Sequence, residues 1–115
     1  MSDLVVTTTA SQEPIIKAKS IKKNAHIIAL GSDEPSKQEL DPRLFKVADK
    51  IIVDSRNQAV QYGDSYHAIK AGIINASNIE ELGSILAKDY KIQDKLIITD
   101  LTGIAAQDIA MAKWV

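Results

Sequence analysis

Four strand-length runs of apolar residues recur along the chain, and three of them end in a small or acidic polar cluster. The runs are Leu4-Val5-Val6-Thr7-Thr8-Thr9, Ile27-Ile28-Ala29-Leu30, Ile51-Ile52-Val53 and Leu96-Ile97-Ile98-Thr99. The first is β-branched almost throughout, and the others are near-continuously hydrophobic rather than alternating, the pattern of strands covered on both faces. Helix-like stretches between them argue for βαβ units around a parallel sheet, hence an α/β fold with about four strands and flanking helices. The polar clusters are Gly31-Ser32-Asp33, Asp54-Ser55-Arg56, and Asp100 with Thr102-Gly103. In open sheets of this kind ligands sit at the carboxyl ends of the strands.

Periodicity gives the helices. The segment 37–49 carries Leu40, Leu44 and Val47 at helical spacing, with Asp41 as N-cap and Pro42 in the first turn. Short helices are expected over 58–62 and 65–71, the latter stopping at Gly72. Ile79, Leu82, Ile85 and Leu86 form an amphipathic stripe over 79–88. A last helix over 104–115 presents Ile109 and Val115, with Trp114 near its end. A buried-type strand that starts at once and a helix without a capping signal suggest a piece of a larger fold.

Composition narrows the function classes. At 115 residues and 12.5 kDa the chain is one domain or less. Its 14 basic and 15 acidic residues give a net charge of −1, and the basic groups are interspersed with acids, which argues against a nucleic-acid partner. The absence of cysteine removes disulfides and thiol nucleophiles. No apolar run approaches the roughly 20 residues that span a bilayer, so no membrane role and a cytoplasmic location are expected. The five glycines are too widely spaced for G-x-G-x-x-G. His26 and His67 lack metal-ligand spacing, so no metal site is expected.

Three polar stretches remain open to two readings each. The run from Gly31 to Pro42 offers a strand-end carboxylate for acid/base work, its pKa raised by partial burial, or a solvated connecting loop. The run from Thr7 to Ser11 offers hydroxyls for a ribose or phosphate, or reflects the strand propensity of threonine. The Asp100–Gly103 stretch allows a ligand to approach closely or simply turns the chain.

Taken together, Val5 to Pro14 and then Asn24 to Asp41, with the Gly-x-Asp-x-Pro-x-Lys-Gln-Glu-Leu-Asp run most specific, resemble the ornithine cyclodeaminase/mu-crystallin family. Val53-Asp54-Ser55-Arg56 with Gln58-Ala59, Glu81-Leu82-Gly83, and Asp100 to Asp108 follow in the family's order. The resemblance covers nearly the whole chain. It implies the second half of a Rossmann-type NAD(P)-binding domain over residues 1–115, with a helix from about 104 returning toward a dimerisation and substrate domain.

Residue by residue, the resemblance implies a catalytic acid/base at Asp33. It implies cofactor contacts from Thr7, Thr9 and Ser11 at a strand end, and from Ala29, Leu30, Gly31 and Ser32 along the nicotinamide half. Lys37 matches a basic position near the cofactor, and Leu101 and Thr102 match the turn facing nicotinamide and substrate. Ile28, Leu30, Thr99 and Leu101 depart from the residues common at those positions. Mu-crystallin-like members can lack the acid, so Asp33 leans toward the enzymatic branches. These are cyclodeaminases, alanine dehydrogenases and ketimine reductases, which transfer hydride between NAD or NADP and an amino acid or cyclic imine. The implied state is a homo-oligomer, with the chain incomplete for turnover alone. The alternatives are a self-associating binding module and a truncated gene remnant.

Overall fold

In the computed structural model, which describes residues 2–88, 91 and 95–114, the chain forms a five-stranded, wholly parallel sheet in the order β1-β2-β5-β3-β4. The strands are β1 (Leu4–Thr7), β2 (His26–Ala29), β3 (Lys50–Val53), β4 (Ile79–Glu81) and β5 (Ile97–Asp100). Five α-helices accompany them among the described residues: α1 (Arg43–Val47), α2 (Arg56–Ala59), α3 (Asp64–Lys70), α4 (Leu82–Leu86) and α5 (Ala105–Ala112). The four apolar runs of the sequence are four of these strands, and β5 enters the middle of the sheet last.

Strand alternation divides the apolar residues between two faces. On one face, register aligns Val5, Ile27, Ile98, Ile51 and Ile79. There Ile27, Ile51, Ile79 and Ile98 pack with Leu40, Leu44 and Phe45 in the main core, to which Ala59 of α2 and Ala68 of α3 also belong. Burying a side chain of the size of Leu44 or Phe45 contributes about 1.5–3 kcal/mol. On the other face, Ile52 and Ile97 pack with Ile85 and Leu82 in a smaller cluster, and that cover ends before β1. Leu4 and Val6 of β1 are half exposed there, at 56% and 51%.

The structure corrects two helices expected from periodicity. The stripe over 79–88 is split: Ile79 lies in strand β4 and joins the main core, whereas Leu82 and Ile85 lie on α4 and join the cluster beneath the other face. Similar spacing thus serves opposite sides of the sheet, and the sheet gains a fifth strand. The helix over 37–49 shortens to α1, because the backbone of residues 39–41 is used elsewhere. Ile15 and Ile16 N–H both donate to the Glu39 carbonyl, and Asp41 N–H donates to that of Ile16. Pro42 is therefore the N-cap in place of Asp41, whose Oδ1 still accepts the Arg43 N–H at 3.0 Å. The helix expected at 58–62 begins earlier, as α2. That over 65–71 is α3, with Gly72 at φ +70° after it. The last helix is α5, with Ile104 as N-cap; Val115 lies outside the described residues.

Candidate functional site

Parallel register brings Thr7, Ala29, Asp100 and Val53 to the same level at the carboxyl ends of β1, β2, β5 and β3. The chain leaving each strand continues this rim. Leu30 N–H donates to the Thr7 carbonyl and Leu101 N–H to that of Ala29, both at 2.9 Å, so the two turns follow directly on their neighbours. Thr7, Thr9, Ala29, Leu30, Gly31, Ser32, Leu101 and Thr102 therefore share one end of the sheet.

The buried Glu39 organises this rim. Its Oε2 accepts the Thr7 hydroxyl at 2.7 Å and the Gly31 N–H at 2.9 Å, while Oε1 accepts the Thr9 N–H. Burial by itself would raise the Glu39 pKa. The hydrogen bonds from Thr7, from the Thr9 and Gly31 N–H groups and from the Thr9 side chain outweigh it and hold the carboxyl below its ordinary value. A charged glutamate is thus stabilised without an ion pair to a basic side chain among the described residues. Gly31 has no room for a side chain: a Cβ there would lie 2.0 Å from the Thr9 carbonyl oxygen and 2.6 Å from Glu39 Oε1.

The loop after Gly31 is held from below. Ser32 is buried and donates to the Lys37 carbonyl at 2.7 Å, and His67 Nε2 lies 2.8 Å from the same oxygen. Ser11 is tied in through its carbonyl, which accepts the Gln38 N–H at 2.8 Å, while its hydroxyl donates to the Glu13 carbonyl at 2.6 Å. Asp33 stands outward on this loop, exposed, with Oδ1 2.7 Å from Lys37 Nζ. Lys37 also reaches Glu34 at 3.2 Å. The expected rise in the Asp33 pKa through burial does not occur. The hydrogen bond from Lys37 lowers it, and the carboxylate rests ionised.

Four acids beneath and beside the rim hold its main chain, a structural role that the sequence did not assign to them. Asp54 Oδ2 accepts the Gly103 N–H at 2.8 Å, and its Oδ1 accepts the Thr102 hydroxyl at 3.2 Å, fixing the 100–103 turn. Asp64 Oδ1 accepts the N–H groups of Glu39 and Leu40, both at 2.8 Å, and Asp100 Oδ2 accepts the Ser65 N–H at 2.6 Å. Burial raises the Asp64 pKa to about 7, with the Asp100 charge adding to the rise. Burial likewise raises Asp100 to about 6. Glu39 completes the four. Its place in the Lys-Gln-Glu-Leu-Asp run was the one sequence signal; nothing in local spacing marks Asp64.

Concavities also occur at the opposite, amino-terminal ends of the strands. One of about 450 Å³ is lined by Lys19, Lys22, Lys23, Val47, Asp49 and Leu96, among others. Its walls carry scattered lysines rather than the converging main-chain groups of the rim, which is the better candidate site.

The chain is 42% identical over 117 aligned positions to alanine dehydrogenase of Archaeoglobus fulgidus, covering 98% of this chain and 36% of that protein. The crystal structure of the iminosuccinate reductase of Paracoccus denitrificans in complex with NAD+ superposes with a TM-score of 0.89 at 37% identity, over 97% of this chain and 35% of that one. The Thermococcus litoralis Δ1-pyrroline-2-carboxylate reductase, solved with NADH and L-proline, gives a TM-score of 0.87 at 27% identity, over 97% of this chain and 36% of that one. The chain thus spans about a third of the length of these relatives, and the sheet is of the kind found in their NAD-binding structures. The model of the ornithine cyclodeaminase/mu-crystallin family matches residues 1–115, and the chain belongs to that family.

Proposed function

We propose that the 115 residues form the nicotinamide-side half of the cofactor-binding domain of an NAD(P)-dependent oxidoreductase acting on an amino acid or cyclic imine. The observation that carries this reading is the strand-end rim. At Gly31 a Cβ would strike the Thr9 carbonyl oxygen, so only glycine fits there, and Glu39 pins that segment to Thr7 of β1, close-packed main chain at the strand ends. Such a surface fits a flat ring approaching backbone, with Thr7, Thr9, Ser11, Ala29, Leu30, Ser32, Leu101 and Thr102 around it. The Gly-rich pyrophosphate turn of a whole dinucleotide site is not among these residues, so the rim fits the nicotinamide end and the remainder must come from another segment. When bound, the cofactor supplies the hydride acceptor or donor.

Within that frame the residues divide the work. Asp33 rests ionised beside Lys37, so its first proton move is acceptance, from a substrate ammonium group or an attacking water. Covering the rim and excluding water would raise its pKa toward the range in which it can return the proton. Lys37 holds the carboxylate in place and keeps a positive charge near the cofactor. Relatives that are named as alanine dehydrogenase, iminosuccinate reductase and pyrroline-2-carboxylate reductase support the substrate class.

The test is a chimera in which this chain replaces the matching third of the Archaeoglobus fulgidus alanine dehydrogenase. The expected outcome is NADH binding with measurable dehydrogenase turnover, and an Asp33→Asn loss of about 10²–10⁴-fold, the usual weight of a general acid/base. A folded chimera that binds no NADH, or an Asp33→Asn variant as active as its parent, would sink the reading. A second reading, a self-associating module, is favoured by the half-exposed Leu4 and Val6 on edge strand β1.

A further inference from the structure

We infer that the concavity at the amino-terminal ends of the strands is a second ligand site, one that takes a small organic phosphate, a phosphate dianion carried on an apolar body. The segment Lys17-Ala18-Lys19-Ser20-Ile21-Lys22-Lys23 builds one of its walls. Residues 18–20 form a 3₁₀ turn, in which residues three apart share a side, so Ala18 and Ile21 turn inward together and pack against the main core. With that apolar pair turned in, Lys17, Lys19 and Lys23 are left exposed on the outside. Lys19 lines both this concavity of about 450 Å³ and a neighbouring one of about 360 Å³ that Lys17 and Arg43 also line, so the two adjoin.

The charge of this wall is uncompensated. Lys22 is paired with Asp3 at 2.8 Å and Arg43 with Asp41 at 2.6 Å, whereas Lys17, Lys19 and Lys23 make no ion pair among the described residues. Among those residues Asp49 is the one acid lining either concavity, and its Oδ2 already accepts the Leu96 N–H at 2.9 Å. Three ammonium groups thus stand against one carboxylate, in a chain whose overall charge is −1. A local excess of this kind concentrates anions. Lysine meets a phosphate as a point charge with rotatable donors, and ammonium groups spread around an opening can each approach a different oxygen of one tetrahedral dianion.

The rest of the ligand is set by what the lysines surround. Ile21, Val47 and Leu96 line the same concavity, and Val47, at the end of α1, is 60% exposed. An apolar side chain left open beside unpaired cations suits a molecule with an apolar body next to its charge, and about 450 Å³ lies within the range of small-molecule sites. A bare inorganic phosphate would satisfy the lysines and leave Val47 in water. Asp49 precedes β3 and Leu96 precedes β5, at the ends opposite to Val53 and Asp100, so occupancy here does not depend on whether the rim binds a dinucleotide.

The experiment is an NMR titration of the backbone amides of the purified 115-residue chain with 2-naphthyl phosphate and, separately, with inorganic phosphate. Saturable shifts are expected at residues 18–23, 47–49 and 96, with 2-naphthyl phosphate binding at least about threefold more tightly than inorganic phosphate because it also buries apolar surface. Lys19→Gln with Lys23→Gln should weaken binding about tenfold, the weight of two exposed ion pairs, while the charge-matched Lys70→Gln with Lys88→Gln, outside the concavity, should leave it unchanged. Val47→Ser should weaken 2-naphthyl phosphate and not inorganic phosphate. All five positions are exposed, so the variants keep the fold, and unchanged amide shifts elsewhere check that they do. The inference is overturned by shifts that centre on Thr7, Gly31 and Leu101 instead, by equal weakening in the two lysine pairs, by equal affinity for the two probes, or by no saturable shift up to about 10 mM probe. Binding undiminished at about 1 M salt, where charges are screened beyond about 3 Å, overturns it as well.

Discussion

At the scale of single residues, the rim is governed by what cannot be accommodated there. Gly31 is the sharpest case, because the atom met by an added Cβ is the Thr9 carbonyl oxygen at 2.0 Å, a main-chain group that cannot rotate away. Gly31→Ala must therefore displace both the Thr9 main chain just beyond β1 and the Glu39 carboxylate. Overpacking of this kind costs about 1–3 kcal/mol, and here it also pulls apart the hydrogen bonds from Thr7 and Gly31 to Glu39. The expected result is a lower urea midpoint with an unchanged slope, together with loss of protection of the Thr9 and Gly31 amides in hydrogen exchange. A Gly31→Ala variant as stable as the parent would show that the rim is looser than its geometry implies. Buried acids in this rim also titrate in opposite directions for one reason. Glu39 is lowered because the hydrogen bonds to both its oxygens outweigh burial, whereas burial prevails at Asp64 and Asp100, each of which has one oxygen without a hydrogen-bond partner.

Among the elements, α5 stands apart. None of its residues is buried; Ile109 and Met111 are exposed at 57% and 68%, and Trp114 just beyond it at 90%. An isolated helix of eight residues is marginal in water, since nucleation is unfavourable and no tertiary packing offsets it. In the chain alone, the single Trp114 should fluoresce as a solvent-exposed indole, be freely quenched by acrylamide, and shift little on urea unfolding. Removal of residues 105–115 should change the unfolding free energy by no more than about 0.5 kcal/mol, the range of substitutions at exposed sites. A blue-shifted, quencher-protected tryptophan would mean instead that α5 is covered in solution. The short β4 makes the opposite point: three residues suffice because β3 supplies its ladder and Lys50 reaches Glu80 at 2.9 Å.

For the whole molecule, the sheet is covered unevenly. Ile97 and Ile52 are buried beneath α4, yet on the same face Leu4 and Val6 of edge strand β1 are half exposed. An apolar edge of a parallel sheet pairs readily with another strand. Light scattering on the purified chain should accordingly report mass that rises with concentration, and Leu4→Lys with Val6→Lys should return it to 12.5 kDa. A monomer at every concentration would remove support for the self-associating reading. Among the described residues no helix is long and apolar enough to cross a membrane.

The sequence by itself determined the strand runs, the parallel α/β class, the family, and which strand ends carry the polar residues. It could do so because continuous apolar runs and a long specific motif are local signals. Only the tertiary structure decided that Ile79 belongs to a strand and Leu82 to a helix, since periodicity does not say which side of a sheet a residue faces. It likewise decided that Asp33 stands exposed beside Lys37 while Asp64, unmarked in the sequence, is buried beneath the Glu39 and Leu40 main chain. The pKa of a carboxyl depends on burial, neighbouring charge and hydrogen bonds from residues distant in the chain, and folding alone brings those together.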